Sequence, residues 1–238
     1  MPDCVNSVSP RRSRLRARPM ARLVIFGTGD IARLANFYFT RDSPHEVVAF
    51  TVDAEYRRGD SFEGLPLVDS SEVVSRFPPG EHEMFVAISY ARMNQIRAAK
   101  YEQMKSAGYR LVSYVSSRCS YLSDHPPGDN CFILEDNTIQ PFVRIGNDVT
   151  LWSGNHIGHD SVIEDHCFLT SHVVVSGNVR VRPYCFIGVN ATIRNSIEIA
   201  PATLVGAGAV IMKNTREKGV YLPQRAERFS KSSDEIEL

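Results

Sequence analysis

One stretch of this chain, residues 133–211, carries an aliphatic side chain at every sixth position. Fourteen consecutive positions share this register: Ile133, Ile139, Ile145, Leu151, Ile157, Ile163, Leu169, Val175, Val181, Ile187, Ile193, Ile199, Val205 and Ile211. A period of six is neither the 2 of an ordinary strand nor the 3.6 of a helix, and it indicates a repeat architecture. We expect each unit to form a short strand and a corner, with three units closing a triangular coil of about 18 residues.

The composition of the chain argues against several classes of protein. Its 238 residues allow one or two domains, and 27 basic side chains balance 27 acidic ones, so charge indicates neither nucleic acid nor an anionic membrane as partner. No apolar run approaches the roughly 18 residues of a transmembrane helix, and the N-terminus lacks the apolar core of a secretory signal. The sequence therefore favours a cytoplasmic protein with no membrane insertion and no nucleic-acid partner.

The five cysteines predict neither a disulfide framework nor a zinc site, because they are odd in number and form no Cys-x-x-Cys pair. Cys131, Cys167 and Cys185 each precede a repeat aliphatic by two residues. We interpret them as small hydrophobic side chains that fill the interior of the repeat. No metal site is predicted.

Residues 20–115 have the pattern of a small α/β domain. An apolar strand at residues 22–26 leads into Gly27-Thr28-Gly29 and a helix, an arrangement in which backbone N–H groups and the helix N-terminus favour a phosphate. A second strand ends at Asp53, where an acid can meet a ribose or a base edge. The residues expected to bind a mononucleotide-type ligand are Gly27, Thr28, Gly29, Asp53, Ser89 and Asn94. The alternative is a tight turn that binds nothing.

The remaining segments complete the predicted domain organisation. Residues 1–19 are basic and turn-prone, which indicates a disordered tail, and Met20 could equally be the natural start. Residues 116–130 contain Pro126-Pro127-Gly128 and are predicted to be a linker. The repeat then occupies residues 131–213, and residues 214–238 are predicted to form a cap and a polar tail.

In several hexads the residue directly after the aliphatic is glycine: Gly146, Gly158, Gly188 and Gly206. This pattern resembles the left-handed parallel β-helix of hexapeptide-repeat acyltransferases. With the α/β segment in front, residues 22–225 resemble bacterial sugar acetyltransferases, a branch that includes sialic acid O-acetyltransferases and nucleotide-aminosugar N-acetyltransferases. The resemblance implies a Rossmann-like nucleotide-binding domain followed by an all-β left-handed parallel β-helix. The left hand is implied by the resemblance alone, because right-handed crossovers are the rule.

The same resemblance implies an active site. Relatives are homotrimers with sites between adjacent β-helices, and their base is a histidine two residues after a repeat aliphatic, followed by an acid. His159 and Asp160 match those positions, and Gly177, one coil after His159, matches the backbone N–H donor to the acetyl carbonyl. Acetyl-CoA, as co-substrate, would extend along the groove past these residues: Gly177, Val189, Ala207, Gly208 and, near the 3′-phosphate, Lys213.

Two departures from the relatives leave the acceptor open. Phe168 stands where many relatives have a second histidine, and Asp30-Ile31 replaces a Gly-His pair. We expect transfer to the amine of a nucleotide-linked amino-dideoxy sugar, with sugar or sialic acid O-acetylation as the alternative.

Two further interpretations concern the histidines. Left-handed β-helices also include γ-class carbonic anhydrases, whose zinc is held by histidines from two subunits, one pair spaced His-x4-His. Here the spacings are His159-x6-His166 and His166-x5-His172. A noncatalytic trimeric scaffold is the other possibility. Outside the zinc interpretation, we expect His156, His166 and His172 to be polar surface residues at coil corners.

Overall fold

The structure, a computed structural model, describes residues 20–228 and 230–236. It consists of an α/β part followed by a three-sided β-helix. The basic segment at residues 1–19, predicted to be a disordered tail, lies outside the described residues. Within the described ranges, no helix has the length and apolar character needed to cross a membrane.

The α/β part is built on one twisted, mostly parallel sheet. Its elements are β1 (Arg22–Phe26), α1 (Asp30–Asp42), β2 (Glu46–Val52), a 3-10 turn (Ala54–Tyr56), β3 (Ser61–Phe62), β4 (Leu65–Asp69), α2 (Val73–Arg76), β5 (His82–Val86) and α3 (Gln95–Ser106). The strand order is β3-β4-β2-β1-β5, with β3 antiparallel to β4 and the other neighbours parallel. The chain leaves β1 toward β2 and later returns to the other side of β1, so a ligand crevice is expected between β1 and β5.

The β-helix has three faces, each a ladder of two-residue parallel strands. The A face contains Tyr114–Val115, Phe132–Ile133, Thr150–Leu151, Phe168–Leu169, Phe186–Ile187, Leu204–Val205 and Val220–Tyr221. The B face contains Ser120–Tyr121, Thr138–Ile139, His156–Ile157, Val174–Val175, Thr192–Ile193 and Val210–Ile211. The C face contains Arg144–Ile145, Val162–Ile163, Arg180–Val181 and Glu198–Ile199. The chain passes from A to B to C in each coil, and we name the corners between them AB, BC and CA.

The β-helix begins earlier than the predicted linker allows. Val115 pairs with Ile133 and Tyr121 with Ile139, each partner lying one coil later, so residues 116–130 form most of the first coil. The hexad register reaches this coil, but Tyr121 and Pro127 stand where aliphatics were expected. Because proline has no N–H to donate, this coil has no strand on the C face.

Residues 109–114 add no full strand to the α/β sheet and contribute only an isolated parallel bridge between Met84 and Leu111. The Tyr114 N–H donates instead to the carbonyl of Cys131 at 2.8 Å, so Tyr114 belongs to the β-helix. At the other end, Tyr221 pairs with Val205, and the segment predicted to be a cap adds one more strand to the A face.

The fourteen repeat aliphatics line the interior of the coils and are at most 5% exposed. Cys131, Cys167 and Cys185 are also fully buried, and burial raises the pKa of the Cys131 thiol to about 12. These cysteines fill the interior as small hydrophobic side chains. Three residues after most aliphatics the backbone turns through positive φ, as at Asp160 (59°) and His172 (56°). Asparagine and aspartate tolerate this left-handed conformation better than most residues.

The α/β part packs on the A face and on the CA corner. Phe132 and Leu134 of the A face belong to the same apolar cluster as Leu23, Phe39 and Phe85 of the α/β part. Helix α3 lies against the CA corner, as the buried pair of Arg97 Nε and Asp148 Oδ1 shows at 3.0 Å. The B face and the BC corner therefore lie on the side of the β-helix away from the α/β part.

Candidate active site

His159 lies at the BC corner, directly after the strand His156–Ile157 and Gly158. Its Nδ1 is 2.8 Å from Oδ2 of Asp160, and its backbone N–H donates to Oε1 of Gln140 at 2.8 Å. The side chain is 56% exposed in the single chain. The imidazole is thus oriented by its neighbour and accessible to a reactant.

The contact with Asp160 determines which nitrogen of His159 can act as a base. A carboxylate only accepts hydrogen bonds, so the proton of the neutral imidazole lies on Nδ1, and Nε2 has a free lone pair. Asp160 adopts φ 59° at the corner and its N–H donates to the carbonyl of Pro141 at 3.2 Å. The backbone conformation at Asp160 therefore holds its carboxylate in place, and the carboxylate in turn orients the imidazole ring of His159.

Gly177 lies one coil further along the same corner, next to the imidazole. A Cβ built on Gly177 would be 2.6 Å from His159 Nε2, so the space beside that nitrogen exists because residue 177 is glycine. Gly158 has a matching role, since its own Cβ would be 2.6 Å from the Gly177 backbone nitrogen. The N–H of His159 donates to the side chain of Gln140, which belongs to the preceding coil. For Gly177 the residue equivalent to Gln140 is Gly158, which has no side chain to accept the Gly177 N–H. A base nitrogen and a backbone N–H thus lie next to each other at this corner.

The five residues predicted to contact acetyl-CoA lie on two different corners. Gly177 and Lys213 follow B-face strands and lie on the BC corner with His159. Val189, Ala207 and Gly208 follow A-face strands and lie on the AB corner. Because these corners border opposite edges of the B face, one chain does not bring all five residues together.

Two surface grooves occur near the end of the β-helix. A groove of about 510 Å³ continues the BC corner beyond Gly177 and is lined by Arg194, Asn195, Ser196, Ile197, Met212, Lys213 and Asn214. A second, of about 660 Å³, is lined by Gly208, Ala209, Val210, Ile211, Val220, Tyr221, Leu222, Pro223 and Gln224. Lys213 and Gly208 each belong to one of these grooves.

Four of the predicted nucleotide-binding residues, Gly27, Thr28, Gly29 and Ser89, border the crevice between β1 and β5. Gly27 has φ 128°, and a Cβ there would be 2.7 Å from the carbonyl oxygen of Ala87 at the end of β5. Gly29 begins α1 as its N-cap with no side-chain capping bond, in open space. Thr28, half-buried, lies between them, and half-buried Ser89 follows β5. The first turn of α1 therefore faces the crevice with backbone N–H groups.

Asp53, predicted to meet a ribose or base, is already paired within the chain. Its Oδ2 is 2.7 Å from Nζ of Lys100, and its Oδ1 accepts from the Ser70 hydroxyl at 2.7 Å. Lys100 also lies 5.5 Å from the centre of the Phe26 ring. Sequence reasoning missed Lys100 and Ser70, because helix α3 and the loop after β4 reach Asp53 only through the fold.

Asn94 lies away from the crevice, contrary to its predicted role in substrate binding. It is fully buried, donates to the carbonyls of Tyr184 and Cys185 at 3.4 and 3.2 Å, and accepts from Arg97 at 3.1 Å. Its amide is used to join α3 to the CA corner. Residues 92–94 all have positive φ, so this tight turn is held by those contacts.

His166, expected at the surface, is buried at 7% exposure. Its Nδ1 is 2.9 Å from Oδ2 of Asp148, and its ring stacks on Tyr184 at 4.9 Å. Phe168 is likewise buried and packs against Tyr90 at 5.1 Å. Both residues belong to the junction between the two parts. His156, on the B face, is half-buried and His172, on the AB corner, is exposed.

Within the described part of the chain, no group of three or more His, Cys, Asp or Glu side chains is arranged to hold a metal ion.

Part of the repeat matches a known protein family. The family described as bacterial transferase hexapeptide (six repeats) matches residues 142–177. No curated protein matches the sequence. A similar solved structure is that of perosamine N-acetyltransferase from Caulobacter crescentus, a histidine-to-asparagine mutant in complex with CoA and GDP-perosamine. The two chains superpose with a TM-score of 0.76 and are 22% identical, and the matched region covers 85% of this chain and 94% of that one.

Two other solved structures are similar over comparable lengths. The acetyltransferase domain of PglB from Neisseria gonorrhoeae has a TM-score of 0.75 and 18% identity, with 87% of this chain covering 99% of that one. WeeI from Acinetobacter baumannii has a TM-score of 0.71 and 18% identity, covering 84% and 95%. The chain therefore carries the bacterial transferase hexapeptide repeat and has the fold of these structures, an α/β domain followed by a left-handed β-helix.

Proposed function

We propose that this protein is an acetyl-CoA-dependent N-acetyltransferase acting on the amine of a nucleotide-linked amino-dideoxy sugar, in the cytoplasmic steps of bacterial glycan or O-antigen biosynthesis. The observation that carries the proposal is the close packing of His159 Nε2 on the backbone of Gly177. Support also comes from the similar structures, which include an N-acetyltransferase solved with CoA and GDP-perosamine.

The proposed chemistry is direct transfer. The amine nitrogen attacks the thioester carbonyl and loses its proton to His159 Nε2, whose Nδ1–H is held by Asp160. A positioned base of this kind contributes about 10²–10⁴-fold. The tetrahedral intermediate carries an oxyanion, which the Gly177 N–H can stabilise. When the intermediate collapses, the new C–N bond remains, the C–S bond breaks, and the imidazolium returns the proton to the thiolate. No covalent enzyme intermediate is required.

A second copy of the chain is required to complete this site. His159 lies at the BC corner, whereas the chain's own α/β part covers the A face on the opposite side. The B face and its border expose apolar side chains: Leu122, Phe142, Val174, Val210 and Met212. We propose a homotrimer in which the B faces turn toward a common axis. Each BC corner then lies beside the AB corner of the next chain, so the two sets of predicted acetyl-CoA residues form one groove.

The crevice between β1 and β5 is the proposed position of the nucleotide. The α1 N-terminus at Gly29 is an anion-binding element for the diphosphate, and Lys100 adds a positive charge beside Asp53. Since Asp53 is paired, a base or ribose that uses it must join or displace the Lys100 contact. The experiment varies the identity of the nucleotide and of the sugar that this crevice would bind.

The experiment is a substrate panel. Protein is incubated with acetyl-CoA and UDP-, dTDP- or GDP-linked amino sugars, and released thiol is measured. Thiol release with at least one amine, abolished in His159→Asn and retained in the control His125→Asn, is the expected result. His125 lies in the first coil, outside the site. Release with sialic acid and with no amine would select O-acetylation, and stoichiometric zinc with no transfer would select the carbonic-anhydrase-like alternative.

A further inference from the structure

His172 and His159 lie on the two corners that border the B face, and each imidazole packs over a glycine of an adjacent coil: His159 over Gly177 of the following coil and His172 over Gly154 of the preceding coil. A Cβ built on Gly154, one coil before His172, would be 2.5 Å from His172 Nδ1, so this ring also lies over a glycine of the adjacent coil. His172 is exposed, and its backbone N–H donates to the carbonyl of Ser153 at 3.1 Å. The imidazole is positioned by its corner and available on the outside.

We infer that His172 of the partner subunit completes the reaction site by donating a hydrogen bond to the reacting carbonyl, opposite the Gly177 N–H. The inference rests on the proposed function, because it uses the groove between two chains. In a cyclic trimer, equivalent residues lie at equal heights along the axis. The AB corner of one chain therefore meets the BC corner of the next without vertical displacement.

The height of His172 agrees with this role. Coils of about 18 residues are spaced about 4.8 Å apart, so a position 13 residues after His159 is raised by about 3.5 Å. Gly177, one full coil after His159, is raised by about 4.8 Å. The His172 ring leans down toward Gly154 in the preceding coil, whereas the His159 ring leans up toward Gly177 in the following coil. The two leanings offset the difference in backbone height, so the imidazole of His172 of the partner subunit faces that of His159 across the groove, beside the reacting carbonyl.

The orientation of the ring also agrees. The atoms of His172 nearest to the built Gly154 Cβ are Nδ1, Cε1 and Cγ, at 2.5, 2.6 and 3.4 Å, so the Nε2 side of the ring is turned away from Gly154. An N–H on Nε2 can be donated across the groove. On the opposite wall, His159 presents Nε2 as the acceptor. One histidine accepts the amine proton, and the other supports the developing oxyanion.

The test uses His172→Asn, because asparagine already occupies the same corner position with the same backbone conformation at Asn190, φ 57°. We expect kcat for acetyl transfer to fall about 10²-fold, as for loss of one oxyanion donor, with the KM for the amino sugar little changed. A variant with wild-type kcat would overturn the assignment.

Mixed trimers show whether the two histidines act across the interface. His159→Asn chains, expected to be inactive alone, and His172→Asn chains, expected to retain about 1% of wild-type activity, are co-expressed with different tags, and trimers carrying both tags are purified. If a site takes His159 from one chain and His172 from the next, one site in about three is intact, and activity returns to about a third of wild type. If both come from one chain, no site is intact, and the absence of recovery overturns the proposal.

A measurement independent of turnover separates this proposal from the proposed function. In a His159→Cys/His172→Cys variant, the two cysteines of one chain are separated by the width of the B face, whereas those of neighbouring chains meet across the groove. A short bis-maleimide is expected to give covalent dimers and trimers on a denaturing gel, with wild-type protein and the two single variants as controls. Absence of these products would overturn the placement even if the protein transfers no acetyl group.

Discussion

The imidazole of His159 lies over Gly177, so that a side-chain carbon at Gly177 would come within 2.6 Å of His159 Nε2. One glycine thus serves two purposes. It lets the imidazole pack directly on the backbone, and it leaves a backbone N–H beside the base nitrogen.

The substitution Gly177→Ala tests this relationship. We expect the added methyl group to displace the imidazole or block the amine, lowering kcat/KM by at least about 10²-fold. Thermal stability should change little, because the nearest atoms that an added Cβ would meet all belong to the exposed His159 side chain, which can rotate away. The matched control is Gly80→Ala, where a Cβ meets nothing within 4 Å and activity should be unchanged. Wild-type activity in Gly177→Ala would contradict the assignment.

Asp160→Asn tests the orientation of the base. Asparagine suits the left-handed φ of 59° at this position, so the fold should be retained. An amide can donate its N–H to Nδ1, which would place the proton on Nε2 and remove the acceptor. We expect kcat to fall about 10²–10⁴-fold. A pH–rate profile that keeps its wild-type height would show that Asp160 does not orient the ring.

The parts of this structure that could be predicted from sequence are those set by the constant length of a coil. Gly177 could be placed beside His159 because three hexads, one complete coil, separate the two residues. The first coil was missed because Tyr121 and Pro127 interrupt the aliphatic series, although Val115 and Tyr121 keep the register.

The parts that could not be predicted depend on how the α/β part docks on the β-helix. His166 and Asn94 look like polar corner and loop residues in the sequence, but α3 buries both against the CA corner. The contact responsible joins Arg97 to Asp148, 51 residues apart, and no local pattern encodes it. Lys100 beside Asp53 depends on the same helix.

Gly27 and Gly29 are expected to differ in what they contribute. Gly27→Ala places a Cβ 2.7 Å from the Ala87 carbonyl oxygen at φ 128°, so we expect a loss of about 1–3 kcal/mol in the free energy of unfolding. At Gly29 an added Cβ meets nothing within 4 Å, so Gly29→Ala should cost less than Gly27→Ala, about 1 kcal/mol or below, from the weaker N-cap alone. Urea unfolding of both variants measures the difference. Equal stability of the two would show that the approach of β1 to β5 does not require glycine.

Asp42 predicts a pH dependence of stability. Burial opposes its ionisation, yet hydrogen bonds donated by Ser117, Tyr114 and Ser116 outweigh burial and hold the pKa of Asp42 below its ordinary value of 3.8. A group whose pKa is lowered by folding stabilises the protein above its unfolded pKa, and this contribution is lost as pH falls through the folded pKa.

The stability difference between wild type and Asp42→Asn should therefore be constant above about pH 5 and shrink below about pH 4. Urea unfolding across this range measures it. Tyr114→Phe removes one hydrogen-bond donor to Asp42, at 2.6 Å. Its stability difference from wild type should show the same dependence on pH with a smaller magnitude. A difference independent of pH would show that these hydrogen bonds do not depend on the charge of Asp42.

Arg97 joins the two parts of the chain through a buried ionic network. Its guanidinium donates to Oδ1 and to the backbone carbonyl of Asp148, both at 3.0 Å, and both side chains are at most 2% exposed. Arg97→Met leaves a buried carboxylate without its cation, so we expect a loss of about 3–5 kcal/mol in the free energy of unfolding. Arg97→Met/Asp148→Asn should recover part of that loss, because the uncompensated charge is gone while Asn130 and His166 keep a polar neighbour. The coupling energy from the double-mutant cycle measures the pair. A single-variant loss below about 1 kcal/mol would place the docking energy in the aromatic contacts of the A face instead.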